Sequence, residues 1–176
     1  IETVAEVEAL DFPADAPLAY LTQTTLSVDD TAEIVAALKN RFPQIVGPKA
    51  DDICYATSNR QAAVKQVAAD SDLVLVIGAP NSSNSVRLVE VAQRLGKEAR
   101  LIQRASDIDP AWLDGVATLG LTAGASAPEE LVREVVERLG ELRALEERTL
   151  AAAEEKMIFK LPRQLTENGL KPNQVT

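Results

Sequence analysis

Three times in this chain an apolar, strand-like run ends in a hydroxyl-rich loop and then opens a helix. The segments are LAYLTQTTLSVDDTAEIVAAL at residues 18–38, LVLVIGAPNSSNSVRLVEVAQRL at 73–95 and VATLGLTAGASAPEELVREVVERL at 116–139. Alternation of strands with helices demands a mainly parallel sheet covered on both faces, so the expected fold is α/β. The first turn of a helix leaves backbone N–H groups without partners, and the helix dipole places partial positive charge there. Ser and Thr hydroxyls beside those amides can donate to the same oxygens, which makes each junction a candidate phosphate site. Three such junctions could converge on one polyanionic ligand.

Composition narrows the partners. The formal net charge of −9 over 176 residues argues against nucleic acid or an anionic membrane. An anionic ligand therefore gets no help from the global field and must be held by local amides and hydroxyls. No apolar run approaches the length needed to span a bilayer. The acidic amino end, IETVAEVEALD, is unlike the basic start of a secretory leader, and an initiator Met is absent, as in a piece of a longer chain. One cysteine excludes an internal disulfide framework and points to a reducing compartment. With no histidine, the chain alone can build neither a Ser-His nor a His-metal arrangement.

Periodicity places the elements. Residues 1–10 have helical spacing, 18–23 read as a short strand, and 29–42 as an amphipathic helix with Ser27 at the N-cap and Ile34, Val35 and Leu38 inward. FPQIVGPKADD, at 42–52, holds two prolines and a glycine and is read as a connection and domain boundary. Beyond it the pattern predicts a helix over 59–69, a buried strand over 73–77, a helix over 85–95 stopped by Gly96, and a strand over 99–102. An irregular stretch follows, then a strand over 116–121 and a helix over 128–139 with Pro128 in its first position. From 142 the chain reads as a charged helix to Lys156, then a short strand, MIFKLP, and a polar end.

Five small polar residues, Asn81-Ser82-Ser83-Asn84-Ser85, fill one junction, where a single N-cap would need only one. Their place at the carboxyl end of a parallel strand is where open α/β sheets bind ligands. Thr122-Ala123-Gly124-Ala125-Ser126-Ala127-Pro128 repeats the arrangement, with Gly124 allowing close backbone approach and Ser126 directed into the site. Capping alone is the plainer explanation of any one of these residues. Cys54 precedes a helix and is read either as a buried, inert cysteine or as a nucleophile or metal ligand at a helix N-terminus. Arg60, Lys65, Arg87, Glu90, Glu129 and Glu130 read as solvated surface, and Trp112 and Phe159 as packing residues.

The strings QTTLSVDDT (23–31), RFPQIVGPKADDICYATSNRQ (41–61), NSSNSVRL (81–88) and TAGASAP (122–128) closely resemble the hydroxymethylbutenyl diphosphate reductase family, an iron–sulfur enzyme that ends the non-mevalonate route to isoprenoids. The resemblance implies three αβα domains arranged like a trefoil around a [4Fe–4S] cluster held by three cysteines. Residues 1–48 would form the latter half of the middle domain, 49–141 the third domain, and 142–176 a carboxyl-terminal helix, short strand and tail. Cys54 matches one cluster cysteine. Thr24, Ser82, Ser83, Asn84 and Ser126 match positions that bind the substrate's diphosphate and hydroxyl end, Thr24 near the reacting hydroxyl with Thr57 in the loop beside it. Ser58 departs from the pattern, where Thr is expected.

The family's other two cysteines, its substrate-binding histidines and its acidic proton donor belong to an amino-terminal half that this chain lacks. The implied reaction is a reductive dehydration of 4-hydroxy-3-methylbut-2-enyl diphosphate to isopentenyl and dimethylallyl diphosphates, fed by ferredoxin or flavodoxin. The implied location is the bacterial cytoplasm or a plastid stroma. This chain alone is expected to be inactive and to need its missing half. Two other readings remain open: a metal-free, flavodoxin-like phosphate- or nucleotide-binding module, and a non-catalytic remnant held in an assembly by its sheet edge.

Overall fold

The computed structural model describes residues 1–49 and 52–150. Its elements are α1 (Val4–Glu8), α2 (Val28–Arg41), α3 (Tyr55–Ala69), β1 (Leu73–Ile77), α4 (Ser83–Arg94), β2 (Glu98–Ile102), β3 (Leu119–Ala123) and α5 (Glu129–Leu142). Two short 3₁₀ turns, Ala105–Asp107 and Pro110–Leu113, occupy the irregular stretch between β2 and β3. The three strands form a parallel sheet in the order β2-β1-β3.

LVLVI, the whole of β1, is buried along its length. Pairing on both edges and cover on both faces require such a continuous apolar run. Side chains alternate across the pleat. Val74 and Val76 join Val64 and Ala68 of α3 with Leu88, Val91 and Ala92 of α4. Leu73, Leu75 and Ile77 face the other way, onto Val135 and Leu139 of α5 and onto Ile108 and Leu113. Each of these large side chains contributes about 1.5–3 kcal/mol of burial free energy relative to exposure. The result is the expected three-layer αβα unit. Gly96, with φ of +76°, ends α4 in the left-handed conformation that its sequence position foretells.

A separate cluster lies in residues 1–46, where Val7, Leu38 and Phe42 are buried beneath Leu10, Leu18, Tyr20, Ile34, Ala37 and Ile45. The strand expected at 18–23 is reduced to a single parallel bridge, Ala19 to Val46. Its partner comes from the segment read as a mere connection. Two backbone bonds, Tyr20 N–H to Val46 O and Val46 N–H to Leu18 O, both 3.0 Å, are all that one residue of overlap permits. Leu21, just beyond, is 83% exposed.

Several element boundaries also differ from expectation. α3 begins at Tyr55, not near Asn59, so Cys54 becomes its N-cap residue. β3 lies at Leu119–Ala123, because residues 116–118 turn instead to meet Asp72. Pro128 is the N-cap of α5 and not its first residue. The helix expected from 142 onward is absent over 143–150, since Arg143 at the C-cap is extended (φ −150°, ψ 151°) and pairs with Asp114. The expected MIFKLP strand lies outside the described residues. No helix among those described is long and apolar enough to cross a membrane.

The start of α2 is tied to the αβα unit by charge. Lys65 pairs with Asp29 at 2.7 Å, and Arg94 hydrogen-bonds Asp30 with Arg87 4.0 Å away. The Arg94 hydrogen bond holds the Asp30 carboxyl below its ordinary value of 3.8, against an opposing effect of burial. Asp72 is lowered in the same way by the backbone N–H groups of Thr118 and Ala117, each at 2.9 Å. Both carboxylates titrate lower in the folded state than in the unfolded one. Their stabilisation is therefore complete above the ordinary value of 3.8 and is lost as pH falls through the depressed folded values. The expected outcome is that Asp30→Asn and Asp72→Asn lower the urea midpoint at pH 7, while their deficits relative to the parent shrink steadily below pH about 4.

Candidate functional site

β1 and β3 are neighbours, yet the helices that follow them cover opposite faces of the sheet, α4 one and α5 the other. The loops leaving adjacent strand ends must then diverge, and a crevice opens between them at the carboxyl edge. Ile77 and Ala123, the last residues of the two strands, are register partners. Gly124 N–H donates to Ile77 O at 2.8 Å, so the pairing runs right up to the mouth of the crevice.

Each wall is a tight turn. On the β1 side Ser82 N–H reaches Ala79 O at 2.9 Å, and Ser82 then caps α4 by accepting from Ser85 N–H at 3.3 Å. On the β3 side Ala127 N–H reaches Gly124 O at 3.0 Å, with the exposed Ser126 inside that turn. Ser83 is exposed in the first position of α4, whereas Asn84 is only 8% exposed. Both side-chain polar atoms of Asn84, Oδ1 and Nδ2, are buried and find no hydrogen-bond partner among the described residues. An orphaned buried amide costs on the order of 1–3 kcal/mol. Such a cost is relieved by a partner from outside the chain, a water or a ligand.

The two turns touch. A Cβ placed on Gly124 would lie 2.2 Å from Ser85 Oγ and 3.7 Å from Asn84 Nδ2. A concavity of about 490 Å³ opens on the α5 side of the same edge, lined by Gly78, Gln103, Arg104, Ser126, Pro128 and Leu131 among others. The Ser82 and Ser126 loops thus leave the same edge of the sheet, as parallel strands require, with Ser126 lining this concavity and Ser83 a smaller one on the α4 side.

Cys54 and Thr24 reach this edge by another route. α3 runs antiparallel to the strands, since it leads directly into β1, and its amino end lies above the strand carboxyl ends. Arg60, less than two turns into α3, donates to Ala123 O at 3.2 Å and fixes that end against β3. Cys54 is exposed and free, so it is not the buried cysteine that one of the two readings expected. Its backbone N–H donates to Thr24 O at 3.0 Å, so the exposed Thr24 sits beside it.

Gln61, only 2% exposed, holds the loop carrying Thr24 in place. Its Oε1 accepts from Val28 N–H at 2.9 Å and its Nε2 donates to Leu26 O at 2.8 Å. Asp52 adds a second tie by accepting from Thr22 N–H at 2.9 Å. Thr57 is buried. Among the described residues no group of three or more His, Cys, Asp or Glu could hold a metal ion.

Sequence reasoning passed over Gln61, read Arg60 as solvated surface although it bonds Ala123 O, and named Ser85 only as one of five junction residues. Gln61 and Ser85 are polar residues in buried helical positions, a signal that periodicity could have given. Arg87 and Glu90, read as solvated, pair with each other at 2.5 Å beside Pro80 and Asn81.

This is a parallel αβα protein with a hydroxyl-lined crevice at its topological switch point. The profile of the LytB protein family matches residues 1–140, and the chain belongs to that family. A 4-hydroxy-3-methylbut-2-enyl diphosphate reductase of Bordetella pertussis is 58% identical over 166 residues, covering 94% of this chain and 51% of that protein. The enzyme of the same name from Edwardsiella ictaluri is 53% identical over 165 residues, 94% of this chain and 52% of its own length. Among solved structures, the E-1-hydroxy-2-methyl-but-2-enyl-4-diphosphate reductase of Plasmodium falciparum superposes with a TM-score of 0.85 at 37% identity, covering 96% of this chain and 54% of that one. The chain thus spans about half the length of the relatives it matches.

Gln61 provides a test of how the site is assembled. Gln61→Ala should destabilise the chain by about 1–3 kcal/mol, because Val28 N–H and Leu26 O lose their partners in a buried setting. Urea unfolding would measure the loss, and amide exchange at Val28 and Cys54 should quicken with it.

Proposed function

We propose that this chain is the carboxyl-terminal portion of a 4-hydroxy-3-methylbut-2-enyl diphosphate reductase, supplying its diphosphate-binding loops and one cluster thiolate. The observation that carries the reading is Asn84, buried with both amide atoms unpartnered between two hydroxyl-bearing turns at the switch point. A diphosphate oxygen is an acceptor-only, charged partner. It suits Asn84 Nδ2, the hydroxyls of Ser82, Ser83 and Ser126, and the free amides at the start of α4 and α5. The family membership and the names of the relatives support the same substrate class.

In this reading the diphosphate anchors the substrate in the crevice and extends its allylic hydroxyl toward Thr24 and Cys54. Binding energy from the non-reacting diphosphate then fixes the reacting carbon. Thr24 orients the hydroxyl. Cys54 fits a [4Fe–4S] group as one of three thiolate ligands, being an exposed free thiol beside Thr24. When bound, such a cluster supplies the electrons that ferredoxin or flavodoxin delivers, with the hydroxyl leaving as water. The remaining ligands and proton-transfer groups come from the other half of the relatives' length. Residues 1–48 then complete a domain with that half, 49–141 form the third domain, and 142–176 its tail. The proposed setting is the cytoplasm.

The test contrasts two variants in the protein of full family length. Ser126→Ala should weaken substrate binding by about 1.5–3 kcal/mol, roughly tenfold to a hundredfold, with unchanged cluster absorption. Cys54→Ser should abolish turnover and alter the cluster spectra, because a hydroxyl is a poor substitute for a thiolate. Wild-type turnover and cluster content in Cys54→Ser would refute the assignment.

A further inference from the structure

Ser85 is 1% exposed and carries a hydroxyl that the reading above does not use. It lies where the two turns meet, for a Cβ on either Gly78 or Gly124 would stand 2.2 Å from its Oγ. The hydroxyl therefore occupies the space that glycine leaves at the end of both strands. Its hydrogen-bond partner is Ser82 Oγ, 3.0 Å away, and the Ser85 backbone N–H meets the same oxygen at 3.3 Å.

A serine hydroxyl has one proton to donate and two lone pairs with which to accept. The Ser85 proton is sealed from water, and Ser82 Oγ is the acceptor set beside it. Leaving that proton unmatched would incur the cost of a buried, unsatisfied donor. Ser85 therefore donates and Ser82 accepts. With the Ser85 N–H on its other lone pair, Ser82 Oγ has both acceptor positions filled. Ser82 is only partly covered, so its own proton remains free to point outward.

We propose that Ser85 is a positioning residue that makes Ser82 a dedicated hydrogen-bond donor toward an acceptor-only phosphate oxygen. The proposal rests on the diphosphate reading of the crevice and assigns a role to a residue that touches no ligand. A hydroxyl with an open lone pair would bind water or a protonated group as readily. One whose lone pairs are both occupied can only donate, which suits an oxygen that only accepts. The gain over a lone serine is directional preference.

The test is a double-mutant cycle in the protein of full family length, with inorganic pyrophosphate as probe and binding read by calorimetry or phosphorus NMR. Ser85→Ala should weaken pyrophosphate binding roughly threefold to tenfold, the effect of one neutral hydrogen bond. In a Ser82→Ala background the same change should have no further effect, because Ser85 acts only through Ser82. A purely structural role in spacing the turns would weaken binding in both backgrounds, and that result would overturn the proposal. So would wild-type binding by Ser85→Ala when Ser82→Ala binds poorly. If the parent protein does not bind pyrophosphate, or Ser82→Ala binds as well as the parent, the diphosphate reading itself fails and the proposal with it. Should Ser85→Ala fail to fold by circular dichroism, Ser85→Cys preserves the packing with a weak donor and should show the same weakened binding.

Discussion

The double pairing of β1 governs the rest of the structure. Leu73–Ile77 is hydrogen-bonded to β2 on one edge and β3 on the other, and its side chains are buried on both faces. A strand so enclosed needs cover on both faces, which α3 and α4 supply on one side and α5 on the other. The divergence of the two following turns is a consequence of that constraint, and the crevice between them is its functional product. Gly78 and Gly124 let the turns close on Ser85, and the cap at Ser82 starts α4 in register with them. The same residues thus finish the sheet, begin the helix and line the site.

The second constraint is the clamp between α3 and the segment before it. Gln61, Asp52 and the Cys54 N–H each engage backbone groups of residues 22–28. These bonds are local in space and distant in sequence. They bring Thr24 next to Cys54, while Arg60 joins the amino end of α3 to the end of β3. Thr24 and Cys54 reach the edge of the sheet through polar ties, whereas Ser82 and Ser126 reach it through strand pairing. The former arrangement is more sensitive to single substitutions.

Some of this was legible in the residues alone. The five-residue apolar run at 73–77 reads as a buried parallel strand, and its bounds emerge unchanged. α4 begins at Ser83, two residues before expectation, because Ser82 and not a later serine provides the cap. α3 was harder to delimit. Its buried positions include Thr57 and Gln61, so its apolar period is weak and its first turn, Tyr55-Ala56-Thr57, carries no amphipathic signal. The strand expected at 18–23 is reduced to one bridge for a different reason, since propensity cannot supply a neighbour and, among the described residues, Val46 alone offers one. The hydroxyl-rich junctions announced an anion site through composition. The orphaned Asn84, the Ser85 wedge and the Arg60 tether depend on which side chains meet after folding, which spacing does not encode.

Chemical-shift mapping of the amides of this chain during titration with inorganic pyrophosphate tests the central claim most directly. The account predicts saturable shifts concentrated at residues 82–85 and 124–129, including the Asn84 side-chain amide. Shifts confined to other surfaces, or an Asn84 amide that does not respond while the ligand binds, would contradict it.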